Sequence, residues 1–337
     1  MLPLIGITMG DPAGIGPEII LKAVGAEPHS CRVVVLGDVE TLRETAHRLG
    51  SPLAPMAWHP GTLYPTEAEV LPVLPLSQLA GENRRPGHPT APGGEASYQY
   101  VDAGVRLTLN GTLRGLVTAP ISKAMWHAAG RIYPGHTELL AALTHTPAVR
   151  MMLVGARLRV ILVTTHLALA RVPAALSSER ILRTISLASA HLSRFHGLRP
   201  PRLAVAALNP HAGEAGAFGD EEERLIRPAV RQAQALGLAV DGPFPADSLF
   251  VRAVQGAFDG VICLYHDQGL IPLKLLSWED GVNVTIGLPI VRTSPDHGTA
   301  FDIAGRGVAS PRSLRAAIDV AVEMTKNREH NESSHLS

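Results

Sequence analysis

The sequence lacks the marks of several large protein classes. It has 2 cysteines in 337 residues, too few for a disulfide framework, and Cys31 and Cys263 both sit in apolar runs as small buried hydrophobes do. Neither sign of charge prevails: 30 Lys and Arg stand against 30 Asp and Glu, so nothing points to nucleic acid or a membrane surface as a partner. No apolar run is long enough to span a bilayer, and no charged leader precedes an apolar signal core. Internal repeats and long linkers are also missing. These absences predict a soluble, cytoplasmic chain. What is present, 46% hydrophobic and 18% charged residues, is ample for a large core. Alternating strands and helices argue for a three-layer α/β/α architecture with two lobes around a cleft.

Ionisable side chains crowd between apolar runs most densely in residues 261–307. Val261-Ile262-Cys263-Leu264-Tyr265 reads as a short buried strand running into His266-Asp267-Gln268-Gly269. That places His266 and Asp267 at a strand's carboxyl edge, where open α/β sheets bind ligands. Lys274, Asn283 and Arg292 follow, each beside an apolar run, and offer donors suited to a small anion. The pattern occurs twice upstream, where one apolar run ends in His166 and another in His211. Three predicted strands thus deliver three imidazoles. In one sheet, or across a subunit interface, they form a divalent-metal site with positions open for substrate. Three neutral imidazoles suit zinc, cobalt or nickel, and substrate oxygens in the shell admit magnesium or manganese.

The amino end reads as a strand at residues 4–9, the turn Gly10-Asp11-Pro12-Ala13-Gly14-Ile15-Gly16-Pro17-Glu18, and a helix through about Val24. The third glycine of GxGxxG is missing, so a Rossmann fold is not predicted. Residues 51–94, rich in Pro and Gly, read as a surface connection. Thr137 is a plausible N-cap for a helix over residues 139–143, with amides behind it that suit a phosphate or carboxylate. The acids from Asp220 to Glu223 read as complements to a helix dipole. Asp247 is expected to approach the metal from a loop. Residues 326–337, polar and aperiodic, read as a disordered tail.

With those residues in view, the chain resembles the 4-hydroxythreonine-4-phosphate dehydrogenase family of vitamin B6 biosynthesis. The resemblance rests on DPAGIGPE from Asp11, GHTE from Gly135, TTH from Thr164, NPHAGE from Asn209, YHDQG from Tyr265 and GLPIVRTSPDHGTA from Gly287. The GIGPE turn is also similar to that of isocitrate and isopropylmalate dehydrogenases. What the resemblance implies is a single enzyme unit over residues 1–325, in two lobes of approximately 1–125 plus 296–325, and 126–295. It further implies a homodimer whose metal site, held by His166, His211 and His266, is completed across the interface. His136, Thr137, Lys274, Asn283 and Arg292 would bind substrate, with Asp247 or Asp267 as proton acceptor. The implied reaction is oxidation of 4-phosphooxy-L-threonine by NAD or NADP, with a metal as Lewis acid, to a 3-oxo acid that decarboxylates to 3-amino-2-oxopropyl phosphate. A paralogous branch oxidises D-threonate or D-erythronate 4-phosphate in sugar-acid catabolism, and the segments starting at Phe218 and Ile271 look closer to it. A phosphate acyltransferase on a related scaffold is the reading from another class. Its chemistry needs no three-histidine site.

Overall fold

Runs of Val, Ile and Leu bounded by glycine turns make parallel strands buried on both faces, as sheets covered by helices require. In the computed structural model, which describes residues 2–25 and 30–334, the chain divides into two units. The first comprises Met1–Pro147 and Leu288–Thr325. Its strands are β1 (Leu4–Thr8), β2 (Arg32–Gly37), β3 (Ala54–Ala57), β4 (Val70–Pro75), β5 (Gly115–Thr118) and β12 (Arg292–Pro295). They lie in the order β3-β4-β2-β1-β5-β12, every pair parallel. Its helices are α1 (Gly16–Gly25), α2 (Val39–Leu49), α3 (Ala91–Leu109), α4 (Lys123–Ala128), α5 (His136–Leu143) and α11 (Arg312–Ser334) as far as Thr325.

Caps and close approaches explain where these elements stop. Asp38 caps α2 by accepting from Thr41 N at 2.8 Å, and its other oxygen accepts from Leu79 N at 2.9 Å, so one carboxylate holds both a helix start and a loop. Gly10 turns the chain after β1 at φ 75°, and a Cβ there would lie 2.3 Å from Pro120 O. Glu18, buried in α1, accepts from Lys22 Nζ at 2.8 Å and from Ala309 N at 2.9 Å, fastening residues 307–309 to the amino-terminal helix.

The Pro-rich stretch expected to be a surface connection contains β3 and β4. Its prolines concealed them, although Pro55 falls on the edge strand and Leu71 and Val73 are core residues. At the end of that stretch, Pro92-Gly93-Gly94 forms the first turn of α3 behind the cap Thr90, a position where proline loses no hydrogen bond. The cap of α5 is Gly135 rather than Thr137, and Thr137 lies inside the helix.

The second unit, Ala148–Gly287 and Lys326–Ser337, holds β6 (Arg150–Val154), β7 (Arg159–Leu162), β8 (Leu203–Ala206), β9 (Val240–Phe244), β10 (Gly260–Cys263) and β11 (Val282–Ile286). Their order is β11-β6-β7-β10-β8-β9; β6 pairs antiparallel with β11 and β7, and the rest are parallel. Around them lie α6 (Val172–Ala175), α7 (Ser178–His196), α8 (Arg227–Ala235), α9 (Ala246–Val254) and α10 (His266–Leu276). One cluster of Leu153, Val160, Leu162, Leu249, Val261, Leu270 and Leu273 fastens α9 and α10 to the strands. The unit boundaries fall at Pro147 and Gly287, where the sequence suggested 125 and 295.

The expected tail is helical. From Lys326 to Ser334 the chain continues α11, because Asn327 and Asn331, one turn apart, donate to carbonyls at the end of α7: Asn327 Nδ2 to Phe195 O at 3.1 Å and Asn331 Nδ2 to Arg194 O at 2.8 Å. These bonds satisfy carbonyls that a helix end leaves open, which a polarity pattern does not reveal. Residues 335–337 of that expectation lie outside the described ones.

Buried within α7, His191 packs against Phe195 and stands 5.6 Å from His196, ring to ring. Burial first, then the charges of His196 and Arg194, hold its pKa well below the ordinary imidazole value. A proton is therefore accepted by the unfolded chain below about pH 6.5 but refused by the fold, so stability falls as pH drops through that value. The expected loss approaches about 1.4 kcal/mol per pH unit for this one group. His191→Leu should flatten the fall in urea midpoint between pH 7 and 5; an unchanged slope would assign the acid sensitivity elsewhere.

Candidate active site

Three adjacent parallel strands, β7, β10 and β8, carry the three histidines beyond their carboxyl ends. His166 follows β7 by a short loop, His211 follows β8, and His266 opens α10 directly after β10. Two bonds set the segment before His166 against the one before His266: Val163 N donates to Cys263 O at 2.8 Å, and Thr164 Oγ1 to Leu264 O at 2.6 Å. As a result the His166 and His266 rings come to 5.7 Å. Buried Gln268 couples β10 to β8, accepting from Leu264 N at 2.7 Å and donating to Ala207 O at 2.6 Å. Gly269 next to it packs closely on β10, where a Cβ would stand 3.0 Å from Cys263 Sγ. Asp267 Oδ1 accepts from His266 Nδ1 at 2.7 Å, which puts the acceptor lone pair of that ring on Nε2. Among the described residues, no group of three or more His, Cys, Asp or Glu side chains is placed to hold a metal within one chain.

The loop bearing His211 is held by one of the acids that the sequence assigned only to a helix dipole. Glu222, buried at the start of a helical turn, accepts from Leu208 N and Asn209 N, each at 2.8 Å, and from Asn209 Nδ2 at 3.0 Å. It is a tether as well as an acid in the first helical turn. Residues 211–215 then turn left-handed, with His211 at φ 52°, Ala212 at 56° and Ala215 at 54°. That region is costly for any residue with a Cβ. Ala215→Gly should raise stability by about 0.5 kcal/mol after the added freedom of the unfolded chain is deducted. Urea unfolding measures it, and a loss of stability would show that the turn carries no such cost.

The first unit places His136, Thr137 and Arg292 in a different setting. His136 begins α5 edge-on to Trp126, ring centroids 5.7 Å apart, and its Nε2 is enclosed with no hydrogen-bond partner among the described residues. Its pKa lies well below the ordinary value, mainly from burial and then from Arg292 and Lys123, so the ring is neutral at pH 7. Arg292 opens β12 fully enclosed, donates to Thr118 Oγ1 at 2.5 Å, and has its pKa lowered by burial to about 9. Asp11 was read only as part of a turn. It is buried, accepts from Ala13 N at 3.0 Å, and burial raises its pKa to about 6.

The other expected site residues lie in the second unit. Lys274 on α10 places Nζ 5.4 Å from the Trp278 ring centre, and Asn283 lies on β11. Asp247 stands in the first turn of α9, exposed, its Oδ1 accepting from Ser248 N at 2.8 Å.

Polar side chains set at the carboxyl ends of adjacent parallel strands are the arrangement of an α/β enzyme. The chain belongs to the family of the pyridoxal phosphate biosynthetic protein PdxA, whose family model matches residues 29–321. It is similar to the 4-hydroxythreonine-4-phosphate dehydrogenase of Geobacter metallireducens, 50% identical with 96% of each chain covered. It is also similar to the D-threonate 4-phosphate dehydrogenase of Cupriavidus necator, 45% identical with 97% of this chain and 98% of that one covered. Among solved structures, the 4-hydroxythreonine-4-phosphate dehydrogenase of Klebsiella pneumoniae matches with TM-score 0.88 at 43% identity, covering 96% of this chain and 98% of that one.

Proposed function

We propose that the protein is an oxidoreductase that oxidises 4-phosphooxy-L-threonine to a 3-oxo acid, which loses carbon dioxide to give 3-amino-2-oxopropyl phosphate in pyridoxal phosphate synthesis. The observation that carries this reading is the set of three histidines beyond β7, β10 and β8, two of them with rings 5.7 Å apart. An imidazole pair, one ring oriented by Asp267, is a donor set that fits a divalent cation, zinc first, with cobalt, nickel, magnesium or manganese as alternatives. His166, His211 and His266 would hold it, one of the three coming from a second copy of the chain. Bound there, the metal would supply Lewis acidity toward the substrate hydroxyl, and NAD or NADP would supply the hydride acceptor.

The chain's own groups do the rest. Arg292, Lys274 and Asn283, with His136 and Thr137 at the start of α5, take the phosphate and carboxylate. Asp267 steadies His266, and Asp267 or Asp247 receives the hydroxyl proton. A homodimer agrees with the outer face of α10, which begins at His266 and leaves Ile271 59%, Leu275 82% and nearby Trp278 78% exposed. Among the described residues no helix is long and apolar enough to cross a membrane, which agrees with a cytoplasmic enzyme.

The second reading, oxidation of D-threonate or D-erythronate 4-phosphate, is favoured by the 45% identity to a D-threonate 4-phosphate dehydrogenase. NAD and NADP reduction by zinc-loaded protein, offered each phosphate in turn, separates them. Preference for the amino acid supports B6 synthesis, preference for a sugar acid moves the enzyme to catabolism, and no reduction with any of them refutes both.

A further inference from the structure

Three arginines of the second unit meet at the first turns of α7 with no carboxylate to balance them. Arg150 opens β6, and its Nε donates to Thr184 Oγ1 at 2.8 Å while Nη1 donates to Val149 O at 2.8 Å. Arg180 stands one turn earlier on α7, where its carbonyl accepts from the same Thr184 hydroxyl at 2.8 Å. Its Nε donates to Val163 O at 3.1 Å, three residues before His166. Arg183 follows on the same helix face, exposed. Arg150 is half-buried, and burial followed by the charges of Arg180 and Arg183 lowers its pKa.

The bonds these side chains make all go to a hydroxyl or to carbonyls, and among the described residues none of the three pairs with an acid. Glu179, the acid in that helix turn, makes no ion pair with them there. Each guanidinium offers five donors in a planar fork, so most of the donors face no acceptor. Like charges gathered this way cost free energy unless a counter-charge joins them. A fork that binds two oxygens at once suits a phosphate better than a halide. The Ser177-capped amino end of the 19-residue α7 adds a favourable dipole at the same place.

We infer that Arg150, Arg180 and Arg183 form a binding site for a phosphate dianion, free or as a monoester, apart from Arg292 and His136. The test is isothermal titration of the full-length protein with inorganic phosphate at constant ionic strength set by chloride. Wild type should bind phosphate saturably, and Arg183→Gln, at an exposed position, should weaken one component roughly tenfold. Arg150→Gln/Arg183→Gln should remove that component, with thermal unfolding checking the fold. Arg292→Lys should leave it intact, so loss of the substrate-anion reading and loss of this one are read separately. Competition by glycerol 3-phosphate at the arginine-dependent component would assign the site to a phosphorylated metabolite, and binding of orthophosphate alone to free phosphate. A phosphate isotherm that Arg183→Gln and the double variant leave unchanged overturns the site.

Discussion

His166→Ala or His266→Ala should yield folded protein without bound metal and with turnover reduced roughly a thousandfold. The size follows from the several kcal/mol that a Lewis-acidic cation contributes to an oxyanion-like transition state, at 1.36 kcal/mol for each tenfold. Folding should survive. His166 is exposed and His266 partly so, and bonds from Thr164 and Gln268 hold the segments that carry them. Asp267→Asn should act more gently, lowering metal affinity roughly 10- to 100-fold, because it removes the charge that the 2.7 Å contact sets against His266 Nδ1 but not the ligating nitrogen. Metal content after dialysis, read beside the NAD-linked rate, checks the set. Full metal retention by either alanine variant would remove that histidine from the site, whatever happens to the rate.

The strand-end histidines were legible because each follows an uninterrupted apolar run, and a buried parallel strand writes that run into the sequence whatever its neighbours are. That β7, β10 and β8 are neighbours was not legible. Pairing joins residues about a hundred positions apart, as between Val160 and Val261, and no local pattern encodes it. The two hidden strands follow the same logic in reverse. Pro55 and Pro72 weakened a signal that β3 and β4 recover from partners, Met56 lying opposite Pro72. Polarity misled at the carboxyl terminus, where Asn327 and Asn331 are polar because they bond to the end of α7. Around the strand-end histidines, the sequence pointed to the imidazoles and not to the bracing role of their neighbours. Gln268 and Glu222 work by long-range bonds to backbone amides and carbonyls, and nothing in their immediate neighbours distinguishes them from surface residues.

Glu222→Ala should therefore be among the most damaging substitutions in the second unit. The carboxylate is buried and accepts from Leu208 N, Asn209 N and Asn209 Nδ2, so its removal strands three donors. At about 1 to 3 kcal/mol for each unsatisfied buried group the range is about 3 to 9 kcal/mol, and because these bonds are only partly buried the loss falls in its lower half, about 3 to 5 kcal/mol, a large share of the stability of an ordinary domain. The left-handed turn at residues 211–215 loses its anchor at the same time, since Gly213 is pressed so close to Glu222 that a Cβ there would meet Oε2 at 2.7 Å. Glu222→Gln discriminates between packing and charge. Its carbonyl oxygen can still accept from the two backbone amides, but its NH2 then faces the Asn209 amide donor, so the variant should recover most of the stability and not the full order of the loop. Urea unfolding gives the first quantity, and amide exchange at residues 208–215 gives the second. If the alanine variant unfolds at the wild-type midpoint and protects those amides equally, Glu222 is not the tether of the His211 loop.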